Sequence, residues 1–492
     1  MQVEFNKGLE SGRIWQNSKM FAFAVTGTET RMERESAGWP VVEQWLEQHR
    51  EQMEAALIAW LRIPSVKGPA APGAPFGVAV AAALEQALQT AAAWGLTTQN
   101  VDGYCGLADL PGRTAEQIGV LGHVDVVPAE AADWTGDPFQ PRLADGRIYA
   151  RGTEDDKGPL LAALFAGAAL KANRIPLSKT VRFLFGCDEE SGMGCVRYYL
   201  TRFAPPTAAF SPDSHFPLVH GEKGIAHYRM RADWPADTAD GLYLHRLHGG
   251  TAVNILPASA TAELSGEVPE SALPDGIALR RENGRLLLAA TGEAAHASQP
   301  GRLDNAIVRL AACLAQLPLA PAGARDFLAR LAACYGDHYG CGLGWAETTA
   351  QGQLTSVLSQ LDLTATGADF TADLRFLFRH TTAEYRERAE RLCAAQGWRL
   401  CDWQAQEPLY VPPDSPLVQT LLRAYRDVTG DDSPPLLIGG GTYAKAFPNC
   451  LAFGPVFPGQ TALCHQADEA IGRDDLLRLS KIYAKAIWAL AE

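Results

Sequence analysis

Ile118-Gly-Val-Leu-Gly-His-Val-Asp-Val-Val-Pro128 is the stretch that decides how this chain folds. An apolar run interrupted only by His123 and Asp125 reads as a strand buried on both faces, the kind found in parallel sheets. In open α/β sheets, functional groups gather beyond the carboxyl ends of such strands. His123 and Asp125 are two apart and so share a side of the strand. An imidazole there can hold a metal through one nitrogen while the carboxylate orients the ring from behind. A His-x-Asp pair alone is weak, and its meaning depends on what surrounds it.

Working outward, a helix is expected over residues 157–171, a strand over 181–186 and a helix over 194–201. Upstream, Val42, Trp45, Leu46, Met53, Leu57, Trp60 and Leu61 recur at helical spacing and predict a helix over residues 38–62. An Ala-rich helix follows over residues 76–94. This alternation predicts a mostly parallel sheet covered by helices. After Asp213 the texture changes. Short alternating stretches at residues 225–232, 261–264, 353–362 and 370–378, with a helix over 304–317, indicate antiparallel α+β structure. From Thr382 a helix, the segments 412–429 and 436–441, a strand over 450–453 and a helix over 473–490 follow. The expected fold class is α/β, a mostly parallel sheet domain with an inserted α+β domain. Its first part spans residues 36–218, the insert 219–380 and its second part 381–492. Residues 1–35, of mixed charge and without periodicity, are expected to be a disordered or non-native leader.

A chain of 492 residues is too long for one core, and 47% hydrophobic with 20% charged residues is a globular composition. The net charge of −13 argues against nucleic acid or an anionic membrane as partner, although local Arg and Lys can still receive an anionic substrate. No apolar stretch is long enough to cross a bilayer, and residues 20–27 are too short and too far in for a signal peptide. Ten cysteines without a CxxC pair speak against a disulfide framework and for a reducing, cytoplasmic setting.

Three acidic residues, Glu154, Asp155 and Asp156, close a Gly-rich loop just before an apolar helix. They suit an acidic helix start, or they converge on a cation, where the two oxygens of one Asp can bridge two ions. The buried strand 181–186 likewise runs into Asp188, Glu189 and Glu190. Adjacent Glu residues point in different directions, so one can hold a metal while the other moves a proton from water to a leaving amine. Asp213 follows an apolar run, and His465 lies in Ala462-Leu-Cys-His-Gln-Ala-Asp-Glu469. His123, Asp155, Glu190, Asp213 and His465 together suit two divalent ions sharing a bridge: zinc or manganese, with cobalt possible.

His123-x-Asp125-x-Val-Pro, Trp134 with Asp137-Pro-Phe, Asp145-Gly-Arg-Ile-Tyr-x-Arg-Gly-x-x-Asp155-x-Lys-Gly158 and Asp188-Glu-Glu-Ser-Gly192 resemble, in type and order, the M20 family of di-metal peptidases and deacylases. The resemblance runs from about Gly38 to the end. Gly221-Glu-Lys-Gly224, Ala252-Val-Asn-Ile-Leu-Pro257, Gly439-Gly-Gly-Thr-Tyr443 and Cys464-His-Gln-Ala467 are similar to its PepV-type dipeptidase branch. The resemblance implies a metallopeptidase catalytic domain with an inserted lid. It makes Asp155 the bridging ligand, with His123 and Asp213 on one metal and Glu190 and His465 on the other. Glu189 becomes the general base and acid, and Asp125 orients His123. A cis peptide is implied at Asp155–Asp156. In the lid, Asn254 and His296 match positions that stabilise the oxyanion, and Arg375 one that binds the substrate carboxylate. Gly440 falls in the stretch placed against the substrate. The chain departs from the branch at Leu374-Arg-Phe-Leu-Phe, where Ile-Arg-Tyr-Pro is usual. Asp156-Lys-Gly158 and Glu222-Lys-Gly224 read mainly as structural. The implied activity is cleavage of dipeptides or other small amides. An N-acyl amino acid deacylase (deacetylase or desuccinylase) is the alternative. A catalytically silent metal-binding relative is disfavoured by the intact Glu189 and ligand set. The insert is long enough to resemble a two-lobed lid that supplies its His in cis, which favours a monomer over a homodimer.

Overall fold

A computed structural model describes residues 31–236 and 241–492. Two separate hydrophobic cores divide it into two lobes. The first is built on a nine-stranded sheet whose central strands, Thr180–Gly186, Gln117–His123, Ala208–Ser211 and Cys450–Ala452, run parallel side by side. Antiparallel strands flank them, with Thr97–Val101 and Cys105–Leu110 on one side and Val219–Glu222 on the other. Helix Lys157–Ala172 is Ala- and Leu-rich and is buried from Lys157 to Leu170. A helix apolar all round belongs inside, and this one is covered by helix Arg473–Ala491.

The second lobe is an antiparallel sheet in the order Ile277–Glu282, Arg285–Thr291, Ser259–Ser265, Leu242–Gly249, Thr355–Thr364, Gly367–Phe376, Gly224–Asp233, Arg399–Gln406. Helices Ala306–Ala315, Ala322–Tyr335 and Thr382–Gln396 contribute to its core. Alternate residues of Ser259–Ser265 are buried, as expected where one face of a sheet is packed and the other meets water.

The expected architecture is therefore present, with four differences. The strand expected over residues 118–127 ends at His123, because the chain then turns so that Val126 N–H reaches the Ser65 carbonyl. The expected helix 38–62 is two helices, Arg31–Gln48 and Arg50–Leu61, parted at His49. Residues 1–30 of the expected leader lie outside the described residues, whereas 31–35 are helical. The insert runs from Gly224 to Gln406 rather than over 219–380. Val219–Glu222 pairs in the first sheet, while Arg399–Gln406 pairs with Gly224–Asp233 and Tyr385, Cys393 and Trp398 sit in the second core. Sequence reading expects the helix after Thr381 but not the strand Arg399–Gln406, whose mostly polar residues carry no alternating signal.

Candidate metal centre and active site

The carboxyl ends of the parallel strands converge, and the expected ligands sit there. His123 closes Gln117–His123, Glu190 follows Thr180–Gly186, and Asp213 follows Ala208–Ser211. Asp155 lies just ahead of helix Lys157–Ala172, and His465 comes from a loop near the end of the chain. His123 Nε2 is 3.0 Å from Asp155 Oδ1 and 3.8 Å from Asp213 Oδ2. His465 Nε2 is 3.1 Å from Asp155 Oδ2 and 3.1 Å from Glu190 Oε2. Asp155 thus offers one oxygen to each of two triads, His123–Asp155–Asp213 and Asp155–Glu190–His465, whose donor atoms lie within 4.8 Å of one another. The Asp155–Asp156 peptide is cis, as the resemblance implied.

Asp156, Lys157 and Gly122 frame this centre. Asp156 Oδ2 accepts the His123 N–H at 3.1 Å and occupies the space that a Cβ on Gly122 would need. Lys157 is buried and donates to the carbonyls of Trp60 and Ile63, a structural role. Asp125 does more than expected. His123 Nδ1 is 2.9 Å from the Asp125 carbonyl and 3.5 Å from its carboxylate. The carboxylate itself accepts the N–H groups of Glu189 and Glu190, each at 3.2 Å. Asp125 therefore fixes the ring with its backbone and the Glu189–Glu190 turn with its side chain.

Electrostatics show what this cluster lacks. Burial raises the pKa of Glu189 well above the usual carboxylate range, as it does less strongly for Glu190. Burial and Asp155 push Asp213 up to about 8. Hydrogen bonds to Asp155 and Glu190 push His465 up to about 11. Burial opposes a charged His123, but Asp125 and Asp155 outweigh it and raise its pKa. The protein supplies more negative charge here than it neutralises. His123 Nε2 is moreover buried, and the Asp155 oxygen 3.0 Å away does not meet it in hydrogen-bond geometry, an arrangement that suits two donors facing a common ion. Imidazole nitrogens and carboxylate oxygens in two triads with a shared bridge fit divalent cations.

The second lobe brings its own residues against Gly439 of the first lobe. Ile255–Leu256 pairs with Ala295–His296, and the Asn254 carbonyl accepts the Ala297 N–H at 2.8 Å, so Asn254 and His296 are held side by side. His296 Nδ1 accepts from the Ser298 N–H at 3.2 Å and lies 2.7 Å from its hydroxyl, which leaves the neutral ring its proton on Nε2. Partial burial and the Arg375 charge lower the His296 pKa and favour that neutral form. Ser298 packs on Gly439 of the first lobe, where a Cβ would lie 2.5 Å from the serine Cβ. Arg375 is buried and donates to the Gly439 carbonyl at 3.0 Å and to both oxygens of Asp373 at 2.8 and 2.7 Å. His227 Nε2 lies 2.9 Å from the same carboxylate. Three guanidinium N–H groups are thus committed, and two remain. At Gly440 a Cβ would meet only Ile438, at 3.7 Å, so space is open there.

Sequence reading missed Asp373 and His227 as partners of Arg375, although Asp373 stands two residues away on the same strand. It also missed the ties between the loops of Asp155 and His465. These end on backbone N–H groups, which leave no trace in side-chain pattern.

The chain matches the family model described as peptidase family M20/M25/M40 over residues 119–489. It is similar to a Bacillus subtilis (strain 168) protein named "Putative dipeptidase YtjP", at 37% identity over 448 residues, covering 88% of this chain and 96% of that one. A Staphylococcus epidermidis (strain ATCC 12228 / FDA PCI 1200) protein named "Putative dipeptidase" is 32% identical over 465 residues, covering 90% and 98%. Among solved structures, human carnosine dipeptidase 1 shares the fold with a TM-score of 0.55 at 16% identity, covering 92% of this chain and 99% of that one.

Proposed function

Because the chain belongs to peptidase family M20/M25/M40, we propose that it is a metal-dependent dipeptidase hydrolysing the amide bond of dipeptides. The observation that carries this reading is Asp155, with one oxygen 3.0 Å from His123 and the other 3.1 Å from His465. His123, Asp155 and Asp213 would hold one divalent ion, and Asp155, Glu190 and His465 a second, zinc or manganese, with cobalt also suited. When bound, such ions lower the pKa of coordinated water from about 15.7 to about 7 and polarise a carbonyl.

The chain's own residues do the rest. Glu189 accepts a proton from the attacking water and returns it to the departing amine as the C–N bond breaks. Asp125 holds the Glu189 backbone, and the Glu189 carboxylate feels the charges of His123, Asp213, Glu190 and Asp155. His296 Nε2–H and the Asn254 amide donate to the carbonyl oxygen as it gains charge; one such donor is worth about 3–4 kcal/mol. Arg375 turns its two uncommitted N–H groups to the substrate carboxylate, beside the open space at Gly440. A short substrate with a free carboxylate suits this donor set, and the relatives named as dipeptidases support the same choice over N-acyl amino acids.

Assaying dipeptides, β-alanyl dipeptides, dipeptide amides and N-acyl amino acids side by side with Mn2+ and Zn2+ tests the reading. Dipeptides should be cleaved best. Amidating the carboxylate should lower kcat/KM by about 10- to 100-fold, the worth of a charged hydrogen bond. Preference for acetylated or succinylated amino acids would make the chain a deacylase instead, and inertness on the whole panel would leave it a metal-binding relative.

The Ser298–Gly439 contact, which holds His296 against the first lobe within one chain, supports a monomer as the working unit. Light scattering on a sizing column should give the mass of one chain, and a stable dimer would refute this. All ten cysteines are unpaired, which supports a reducing cytoplasm as its setting.

A further inference from the structure

Two carboxylates outside the ligand set tie the loop of Asp155 to the loop of His465, each reaching from one loop to the backbone of the other. Glu154 Oε1 accepts the N–H groups of Leu463 at 2.6 Å and Cys464 at 2.9 Å, the two residues before His465. Glu469, four residues after His465, is wholly buried. Its Oε1 accepts the N–H groups of Glu154 at 2.7 Å and Asp155 at 3.1 Å, and its Oε2 receives Arg151 at 2.7 Å.

The His465 loop is otherwise held by polar contacts of the same kind: Asp468 accepts the Thr135 N–H at 3.1 Å and its hydroxyl at 2.5 Å, and the Gln466 N–H turns back to the Leu463 carbonyl at 3.0 Å. His465 is 55% exposed on its side chain and sits at φ 63°, a left-handed conformation unfavourable for a residue with a Cβ. Beside Glu154 and Leu463 lies a cavity of about 290 Å³, lined also by Val456, Gln460 and Thr461, so packed side chains do not fill that side of the tie. His123 is the opposite case, buried at the end of a strand bonded on both edges. The two triads are therefore unequal in support. One grows from strand ends, while the other depends on a loop kept in place by polar ties.

We propose that Glu154 is a positioning residue that holds His465 against Asp155, setting the cation affinity of the Asp155–Glu190–His465 triad and not that of the His123–Asp155–Asp213 triad. This rests on the reading that both triads take divalent ions. Carboxylates that steer a ligand without touching the ion typically change metal affinity by about 10- to 100-fold when removed.

The test titrates Zn2+, against a chromophoric chelator, into metal-stripped wild type, Glu154→Ala, Glu154→Gln and Glu154→Asp, with melting of the metal-free proteins as a control. Both backbone N–H groups reach the same Glu154 oxygen, so a Gln amide oxygen can accept both. Glu154→Asp keeps the charge and loses the reach. Wild type should bind two ions. Glu154→Ala should keep one site at wild-type affinity and weaken the other about 10- to 100-fold. Glu154→Asp should do the same, and it decides the matter should the alanine variant not fold. Glu154→Gln should restore both sites. Two unaltered sites in the Ala or Asp variant, equal weakening of both sites, or a Gln variant as defective as Ala would each overturn the proposal. A wild type that binds no Zn2+ would instead remove the metal reading beneath it.

Discussion

Glu189→Gln should retain the metal content of the wild type and lose activity by a factor of about 100 to 10,000, the usual worth of a general acid–base group. The substitution changes almost nothing but the proton. Gln has the size of Glu, and Asp125 grips the backbone of residues 189 and 190 rather than the side chain, so the turn should survive. Glu189 belongs to neither triad, whereas its neighbour Glu190 lies 3.1 Å from His465. The pair of variants thus separates two roles that adjoining residues of one type would otherwise blur. Glu190→Gln should weaken metal binding, and Glu189→Gln should not. Metal analysis beside kcat measures both. Retained turnover in Glu189→Gln would place the base elsewhere, and lost metal would make Glu189 a ligand.

The contrast explains why so much of the centre was legible. His123, Glu189, Glu190 and Asp213 each follow a run of apolar residues that must be a buried strand, and parallel strands place their carboxyl ends together. Chemistry and address were written in the same few residues. The lid boundary was not, because Arg399–Gln406 chooses its partner, Gly224–Asp233, by a contact far away in sequence. The hairpin of Ile277–Glu282 and Arg285–Thr291 carried a local signal that was passed over. Asn283-Gly284 joins its strands with φ of 48° and 75°, the positive pair that a tight hairpin turn requires. Glu154 was legible only as one of three charges before a helix. Its actual partners, the N–H groups of Leu463 and Cys464, lie about 310 positions away and have no side-chain signature. Arg375 is the mixed case. The residue was found, but not that Asp373 and His227 hold it.

Asp155→Ala should have the broadest consequence of any single change. Each triad counts on one of its oxygens, so the substitution leaves His123 with Asp213 and His465 with Glu190, two donors apiece. Two donors hold a divalent ion far less well than three, and both sites should weaken together. Activity should then fall further than in Glu189→Gln, past about 10,000-fold, because the means of generating a nucleophile at neutral pH is lost along with its neighbours' alignment. Asp155→Asn is the more informative partner. Its amide offers one acceptor oxygen in place of two, so one triad can stay complete while the other cannot, and the protein should bind a single ion. Excess Zn2+ stabilises a fold that binds it, by about 2.7 kcal/mol per site at a hundred times the dissociation constant. The rise in melting temperature on adding Zn2+ should therefore shrink from wild type to Asp155→Asn and vanish in Asp155→Ala. Two ions bound at wild-type affinity in the asparagine variant would show that the two triads do not share this carboxylate. A step at one ion in Asp155→Asn together with loss of both ions in Asp155→Ala would instead establish the bridge, since only a residue common to both sites can empty both when its carboxylate is removed.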